Sequence, residues 1–399
     1  MGMGDMKKIL VFHHSGAIGG GSVSMLHILR AMKSEGYAVK LICPAQPSYM
    51  LEEAEKIGVE AEGTFDGGWV YPFFNGGTYN IADPRYIARV RYIKKVRDDV
   101  RALIAREAAD IVVFNSMTIA WMGALVPGGT KTVCFDRETL PFEGRGPRCA
   151  RVKRQLAGMT KSVFLSEFDA KNAGGCDNFA VITDKVDIAK LGSATLDPTA
   201  KCSRQLDFDK RSILYCGGMW RVKGSHTALQ MMHHLNEDYQ LIFMQYEPAP
   251  QPVTVKTRIK RLLGMDYEGD TLKLLDGIED RVKFFPPQGD MAPFYAAADI
   301  VIFPSTKPHQ ARPVYEAGAA CKPCVISGFP NTAEFAKDGV NVLTFEPGNA
   351  EALAACIEKL CDRELYYKLA DNGHAMCISH HNIETLGQEI ADLLKSLGD

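Results

Sequence analysis

The stretch that decides the fold runs from Asp299 to Gly348. It opens with an apolar run, DIVIFPS (299–305), and continues through the helical segment RPVYEAGAA (312–320) to a second apolar run, PCVIS (323–327). The glycine-containing segment GFPNTAE (328–334) follows, and DGVNVL (338–343) closes the stretch. Short strands that alternate with helices are typical of βαβ units and a parallel sheet. Ligands collect at the carboxyl ends of such strands, and Glu316 lies there at the start of a helix.

The same alternation extends over the whole chain. Strands are predicted in the first half at Lys8–His13, Val39–Cys43, Asp110–Phe114, Thr132–Phe135, Ser162–Leu165 and Phe179–Ile182. In the second half they are predicted at Ser212–Cys216, Gln240–Met244, Val282–Phe285, Asp299–Phe303, Pro323–Ile326 and Asn341–Phe345. The polar segment between the two sets reads as a linker. We therefore predict an α/β protein with two doubly wound domains that face each other across a cleft. The predicted ranges are 1–192, a linker at 193–210, 211–380, and a terminal helix within 381–399.

The composition describes a soluble globular protein without a strong charge bias. Hydrophobic residues make up 46% of the 399, and 46 basic residues nearly balance 48 acidic ones, so nucleic acid is not expected as the main partner. The 11 cysteines are scattered singly, and the pair Cys321 and Cys324 lacks a second pair at zinc spacing. Unpaired thiols suit a reducing compartment, and neither a signal-peptide pattern nor a long apolar stretch is present. A cytoplasmic protein without a metal site is the expectation.

Two glycine-rich turns join a strand to a helix, one in each half of the chain. The first is GAIGGGS (16–22), and the second is CGGMWRVKG (216–224). Glycines at such a turn let backbone N–H groups approach a phosphate near the start of the helix. Neither turn has the G-x-G-x-x-G fingerprint with an acidic residue at dinucleotide spacing, so a nicotinamide-dependent dehydrogenase is the least favoured class.

The order of these motifs resembles the donor site of glycosyltransferase family 4, most specifically from Val282 to Gly348 and around Lys223. The resemblance implies two Rossmann-like domains of the GT-B type, with the terminal helix packed back on the first domain. It also implies transfer with retention from a nucleoside-diphosphate sugar, without a metal or a cofactor. Lys223 matches the family's lysine, whereas Gly218 stands where the family has an arginine, and Arg221 is the candidate replacement. Cations are needed because negative charge builds on the leaving diphosphate. The implied catalytic residues are Lys223, Arg221 and Glu316.

The sequence also differs from the family pattern at the residue that contacts the donor sugar. The family has two glutamates, of which Glu316 is the second and is expected to accept hydrogen bonds from the ribose. The position of the first, which contacts the sugar hydroxyls, holds Pro308, and His309 or Gln310 are candidates to act instead. The predicted donor-binding residues are Gly19, Gly20, Gly218, Lys223, His309, Arg312, Glu316, Gly328, Pro330, Asn331, Thr332 and Glu334. For His309 a surface role is the alternative, and for Arg312 the alternative is to structure the loop by pairing with a carboxylate.

Polar residues at two strand ends of the first domain form the candidate acceptor site. The segment from Asp136 to Glu138 resembles the His/Val-Arg-Glu of relatives, and Asn115 ends the preceding strand, where relatives carry a histidine. We predict that Asn115, Arg137 and Glu138 bind the acceptor, with a structural salt bridge and a chain turn as the alternatives.

The helix from Pro84 to Arg106 carries apolar residues at helical spacing and many basic residues. Together with the aromatic residues just before it, the helix is a candidate for peripheral contact with the inner face of the cell membrane or with a lipid-linked acceptor. A solvated outer face is the alternative.

The sequence thus predicts a retaining glycosyltransferase that moves a sugar to a glycan, lipid-linked or small-molecule acceptor in surface polysaccharide or glycoconjugate synthesis. Two alternatives stay open. One is a sugar-nucleotide epimerase, and the other is a non-catalytic binding subunit of a glycan assembly, which the loss of the family's arginine and first glutamate would favour.

Overall fold

The computed structural model describes residues 6–73, 81–141, 146–195, 205–248 and 266–398. The chain divides into two units. The first contains the residues up to Lys185 together with Ile383–Asp399, and the second is Val186–Asn382.

The first unit is built around a parallel sheet of seven strands in the order β3-β2-β1-β4-β5-β6-β7. The strands are β1 (Lys8–His13), β2 (Ala38–Cys43), β3 (Glu60–Gly63), β4 (Ile111–Asn115), β5 (Lys131–Phe135), β6 (Lys161–Phe164) and β7 (Phe179–Val181). Strands β1 and β4 are almost wholly buried, as expected for a sheet covered on both faces. The strand order reverses between β1 and β4, so the loops after these two strands border the crevice where an open parallel sheet binds ligands.

Helices cover both faces of this sheet. They are α1 (Gly20–Ser34), α2 (Tyr49–Lys56), α3 (Pro84–Glu107), α4 (Pro147–Ala157) and α5 (Glu167–Ala173), with a long 3-10 helix at Met117–Leu125. One core cluster joins the aromatic side chains of Phe12, Trp69 and Phe114 to the inner face of α3. A second cluster contains Met25 and Leu29 of α1 and the terminal helix.

The second unit contains a parallel sheet of six strands in the order β10-β9-β8-β11-β12-β13. The strands are β8 (Arg211–Tyr215), β9 (Tyr239–Phe243), β10 (Val282–Phe284), β11 (Ile300–Phe303), β12 (Cys324–Ser327) and β13 (Leu343–Phe345). The helices are α6 (Ile188–Gly192), α7 (Ser225–Met232), α8 (Tyr267–Leu272), α9 (Ala292–Ala297), α10 (Arg312–Ala319), α11 (Ala350–Lys359) and α12 (Arg363–His380). Here the order reverses between β8 and β11, so the loops after these strands hold the equivalent crevice.

The terminal helix α13 (Leu386–Lys395) packs on α1 of the first unit. Its buried residues Leu386, Ile390 and Leu394 repeat at four-residue intervals, which places them on one face of the helix. The helix lies within the predicted range of 381–399, and a 3-10 helix at Ile383–Thr385 precedes it.

The division of the chain differs from the predicted boundaries of 192 and 380. Helix α6 lies in the second unit, because it packs on α9 and α10 there, so the second unit begins at Val186. At the other end, the main-chain N–H of Val186 donates to His381 (2.8 Å), which keeps residues up to Asn382 in that unit. Of the predicted linker, residues 196–204 lie outside the described part of the chain.

No helix in the described part of the chain has the length and apolar character that a bilayer crossing requires.

Candidate functional site

The two loops at the reversal point of the second sheet are locked together. Thr306, after β11, donates its N–H to the carbonyl of Val222 and its hydroxyl to the carbonyl of Arg221, both at 2.9 Å. Gly224 has a φ of 80°, and a Cβ atom there would overlap the carbonyl oxygen of Pro304. Only glycine fits this approach, because it tolerates positive φ and has no side chain. The close contact sets the position of Lys223 relative to the loop that follows β11.

Lys223 is a half-buried cation without an acidic partner. It makes no ion pair with any residue in the described ranges. Burial lowers the pKa of its ammonium group, and the nearby Cys216 partly opposes this effect. A cation that is poorly solvated and lacks a counter-charge is well suited to bind an anion.

Glu316 lies on α10, and its carboxylate is held from two sides. The hydroxyl of Tyr295 donates to one oxygen at 2.7 Å, and the Nε of Arg312 donates to the other at 2.8 Å. These bonds fix the carboxylate orientation at the carboxyl edge of the sheet.

Cys216 lies near both Lys223 and Glu316. Burial raises the pKa of Cys216 to about 12, the Glu316 carboxylate adds to this rise, and Lys223 opposes it. The thiol also contacts the hydroxyl of Tyr295, at 3.7 Å. Both charged groups therefore influence the same buried thiol.

His309 lies beside Lys223 as a neutral ring. It stacks on Phe303 with a centroid distance of 6.2 Å and an interplanar angle of 24°. Burial, together with the charge of Lys223, lowers the pKa of His309 to about 3. At neutral pH the imidazole can therefore donate one hydrogen bond and accept another, as a partner of sugar hydroxyls must.

This shift predicts that acid weakens the second unit through His309. The unfolded chain binds a proton at His309 below about pH 6.5, whereas the folded chain resists protonation until about pH 3. The contribution of neutral His309 to the free energy of unfolding is therefore fully present above pH 6.5. It is lost as the pH falls from 6.5 towards 3. We expect His309→Gln to flatten the pH dependence of unfolding, measured by urea titration between neutral pH and the acid side of the window. The exposed His234, replaced by glutamine, is the control, and an equal flattening in that variant would contradict the prediction.

The glycine-containing loop after β12 presents unsatisfied polar atoms. The hydroxyl of Ser327 and the amide oxygen of Asn331 are buried and make no hydrogen bond to a described residue. The Nδ2 of Asn331 donates to the carbonyl of His309 at 3.1 Å, which ties this loop to the one after β11. Buried polar atoms without partners are rare in folded proteins and are accounted for by a ligand or a water molecule. Thr332 is buried as well, whereas Pro330 and Glu334 are exposed, and residues 330–335 form turns.

Gly218 stands where the family has an arginine, and Arg221 is the candidate replacement for that arginine. The guanidinium of Arg221 lies over the ring of Tyr267, 4.7 Å from its centroid. Gly218 has a φ of 64°, and a Cβ there would lie 3.1 Å from the carbonyl oxygen of Gln245. An arginine at 218 would therefore be strained in this backbone.

In the first unit, the loops after β1 and β4 are joined by a chain of hydrogen bonds. Asn115 is central, since its Oδ1 accepts from the Nε of Arg137 (2.9 Å) and its Nδ2 lies 2.8 Å from the Nδ1 of His13. The Nε2 of His13 lies 3.1 Å from the hydroxyl of Ser22, at the start of α1. Burial lowers the pKa of His13 well below its ordinary value, so the ring is neutral, accepts from Asn115 and donates to Ser22. The structure thus brings Asn115 and Arg137 together at the predicted strand ends.

Glu138 is held close to the same edge. Its carboxylate accepts from the hydroxyl of Ser116 at 2.5 Å and from the N–H of Met117 at 3.2 Å. Gly19 and Gly20, at the start of α1, also belong to this unit, and a Cβ at Gly19 would meet nothing within 4 Å. They are therefore in a different unit from the other predicted donor-binding residues.

Several residues of the site lay outside the prediction. Tyr295 lies in none of the motifs, and Cys216 and Ser327 lie in motifs but had no predicted role. Asp184, which lies 3.7 Å from Arg137 and accepts from Ser24, was not among the predicted residues. Among the described residues, no cluster of three or more His, Cys, Asp or Glu could hold a metal ion.

Comparison with known proteins finds a family match within the second unit. Residues 210–363 match the family described as Glycosyl transferases group 1. A curated relative from Rhizobium meliloti (strain 1021), the lipopolysaccharide core biosynthesis glycosyltransferase LpsE, is 32% identical over 139 residues, which are 34% of this chain. The chain spans 41% of the length of that relative.

Solved structures resemble the whole chain. HepE of Anabaena, in complex with UDP and glucose, aligns with a TM-score of 0.75 at 20% identity over 98% of this chain and 100% of that one. A glycosyltransferase from Rickettsia africae aligns with a TM-score of 0.72 at 17% identity over 98% of this chain and 99% of that one. At such identities the likeness concerns the fold, and it confirms the predicted class of two Rossmann-like α/β domains of the GT-B type.

Proposed function

We propose that this protein is a retaining glycosyltransferase of family 4 that transfers a sugar from a uridine-diphosphate sugar to an acceptor in surface polysaccharide synthesis. The observation that carries the proposal is that Lys223 and Glu316 each lie close enough to Cys216 to shift its pKa, at the carboxyl edge of the second sheet and within the residues that match the group 1 family. The structures of HepE with UDP-glucose support the choice of uridine. The name of the lipopolysaccharide relative supports the choice of acceptor class.

The donor would lie at the reversal point of the second sheet. The carboxylate of Glu316, oriented by Tyr295 and Arg312, accepts hydrogen bonds from the ribose hydroxyls. The ammonium of Lys223 contacts the diphosphate, and the backbone N–H groups of the loop 328–334 face it as well. Neutral His309 contacts the sugar hydroxyls in place of the carboxylate that the family has at position 308.

In the transfer step, the bond between the anomeric carbon and the diphosphate oxygen breaks, and a bond from that carbon to an acceptor oxygen forms. The nucleoside diphosphate leaves with the bonding electrons, and the acceptor hydroxyl releases its proton. Lys223 stabilises the charge that builds on the leaving diphosphate. We propose that this cation and the loop N–H groups do the work of a divalent metal, so that chelation of metal ions with EDTA leaves turnover unchanged.

The acceptor would bind at the polar strand ends of the first unit. Arg137 is nearly buried, with 7% of its side chain exposed, and it is held by Asn115 and Asp184. Its fixed guanidinium can donate hydrogen bonds to acceptor hydroxyls. Glu138, anchored by Ser116, supplies a carboxylate that can accept from them.

Glu316→Gln is expected to weaken donor binding about tenfold or more, because a hydrogen bond to a charged group is worth roughly 1.5–3 kcal/mol. The effect should fall on the KM for the donor and on the Kd for nucleoside diphosphate, measured by calorimetry. The exposed Glu358, replaced by glutamine, is the matched control. Tight nucleotide binding by the Glu316 variant would remove Glu316 from the donor site.

A non-catalytic binding subunit is the second candidate. Gly218 has a positive φ at which the family's arginine would be strained, and the guanidinium of Arg221 lies over the ring of Tyr267. Such a subunit would bind the nucleotide without releasing it from the sugar.

One assay separates these functions. The protein is incubated with UDP-, GDP- and ADP-sugars, with and without lipid-linked acceptors, and free nucleotide and sugar products are measured. Acceptor-dependent release of UDP supports the proposal. Binding without release favours the subunit, a changed nucleotide sugar without acceptor favours an epimerase, and either outcome overturns the proposal.

A further inference from the structure

The positive charge of the first unit is concentrated on two helices. Helices α3 and α4 together carry twelve Lys and Arg residues and three acidic residues, although the whole chain has a net charge of −2. The rest of the chain is therefore strongly acidic. Such a separation of charge produces a local positive field that the overall composition hides.

One face of α3 is basic, exposed and without acidic partners. Arg91, Lys94 and Lys95 lie on the same face as Ile87, at spacings of four, seven and eight residues. The opposite face is buried in the core. Within the described part of the chain none of these three cations makes an ion pair, whereas Arg101, further along the helix, is paired with Asp98 at 2.7 Å.

Apolar side chains lie among these charges. Ile87 is 40% exposed on the basic face of α3, and Ile81, three residues before the helix, is 63% exposed. Both isoleucines add apolar surface next to the basic residues.

Helix α4 extends the same surface. Arg148 lies over the rings of Phe73 (5.2 Å) and Tyr86 (5.4 Å), and Arg151 lies over Tyr71 (5.1 Å). Tyr86 belongs to α3, so these contacts hold the start of α4 beside the start of α3. The first turns of the two basic helices therefore lie side by side.

We propose that this surface, formed by α3, α4 and Ile81, binds the face of a membrane that contains anionic phospholipids. Lipid phosphates complement the unpaired cations, and the isoleucines can enter the interfacial region. A nucleic acid would use the cations alone and would leave the isoleucines exposed, so the apolar residues favour the membrane. The inference does not depend on sugar transfer.

The test is cosedimentation of the full chain with phosphatidylcholine vesicles, with and without phosphatidylglycerol. The wild type should bind only the anionic vesicles, and high salt should release it. Replacing Arg91, Lys94 and Lys95 together with glutamine should weaken the partition about a hundredfold, at roughly fivefold per cation. The matched control replaces the exposed Lys337, Lys359 and Lys368 with glutamine, which removes the same charge from the second unit.

A further variant tests the apolar contact. Ile87→Ser should weaken binding to anionic vesicles about tenfold while leaving retention on heparin unchanged. Equal binding to neutral and anionic vesicles, an equal loss in the control triple variant, or preference for duplex DNA over vesicles would each overturn the proposal. All the replaced side chains are exposed, so we expect each variant to have the unfolding temperature of the wild type. Measuring that temperature checks that each variant is folded.

Discussion

Lys223→Ala is expected to reduce kcat for sugar transfer by roughly a hundredfold to a thousandfold, the usual cost of removing one preorganised group that stabilises developing charge. The reason is that Lys223 is a half-buried ammonium without a counter-charge among the described residues, and it lies at the reversal point of the second sheet. The measurement is steady-state release of nucleoside diphosphate with a saturating acceptor. The KM for the donor should change less than kcat, because the charge on the leaving group grows in the transition state.

The pH profile provides a second readout. Burial lowers the pKa of Lys223, so turnover by the free enzyme should decline on the alkaline side below the ordinary lysine range. Lys223→Arg, which stays charged, should move that decline to higher pH. The exposed Lys359→Ala should leave kcat and the profile unchanged. Full turnover by Lys223→Ala would remove the cation from the mechanism.

Gly224→Ala is expected to destabilise the second unit by about 2–4 kcal/mol. The backbone has a φ of 80°, and the added methyl would overlap the carbonyl oxygen of Pro304. The loops after β8 and β11 would have to separate, which would also break the contacts of Thr306 with Val222 and Arg221. Hydrogen exchange read separately in peptides from each unit measures the change, because unfolding of a two-unit chain is not a single transition.

Gly289→Ala in the same unit is the control. No atom lies within 4 Å of a Cβ at that position, so this substitution should change the stability of the second unit by no more than about 0.5 kcal/mol. We expect faster exchange in β8 and β11 of the Gly224 variant and unchanged exchange in the strands of the first unit. Equal protection in both variants would show that the loops accommodate a side chain at 224.

Every strand predicted from sequence is present in the structure, because a parallel sheet covered on both faces requires apolar runs that stand out from their surroundings. Strand β3 was missed. Its sequence, EAEG, is short, charged and at the edge of the sheet, so no burial pattern marks it. Its pairing with β2 depends on the backbone and on Lys40, which lies 2.8 Å from Glu60 and 3.1 Å from Glu62.

The candidate site was predictable where it depends on position along a motif. Lys223 follows β8 and Glu316 lies on α10 after β11, and these two strands are neighbours in the sheet. The partner of Arg221 was not predictable, because Tyr267 lies on α8, after a stretch with no recognisable motif. The unsatisfied atoms of Ser327 and Asn331 are equally hidden, since burial of one side-chain atom depends on the packed loops around it.

The discontinuity of the first unit has a consequence for biosynthesis. A ribosome delivers the chain from its amino end, and domains fold as soon as their residues have emerged. The second unit is one continuous segment, Val186–Asn382, so its core is complete before α13 has been made. Until then, the apolar face of α1 that receives Leu386, Ile390 and Leu394 has no cover. We expect nascent chains stalled before residue 383 to show a protease-resistant second unit and a first unit that chaperones still recognise.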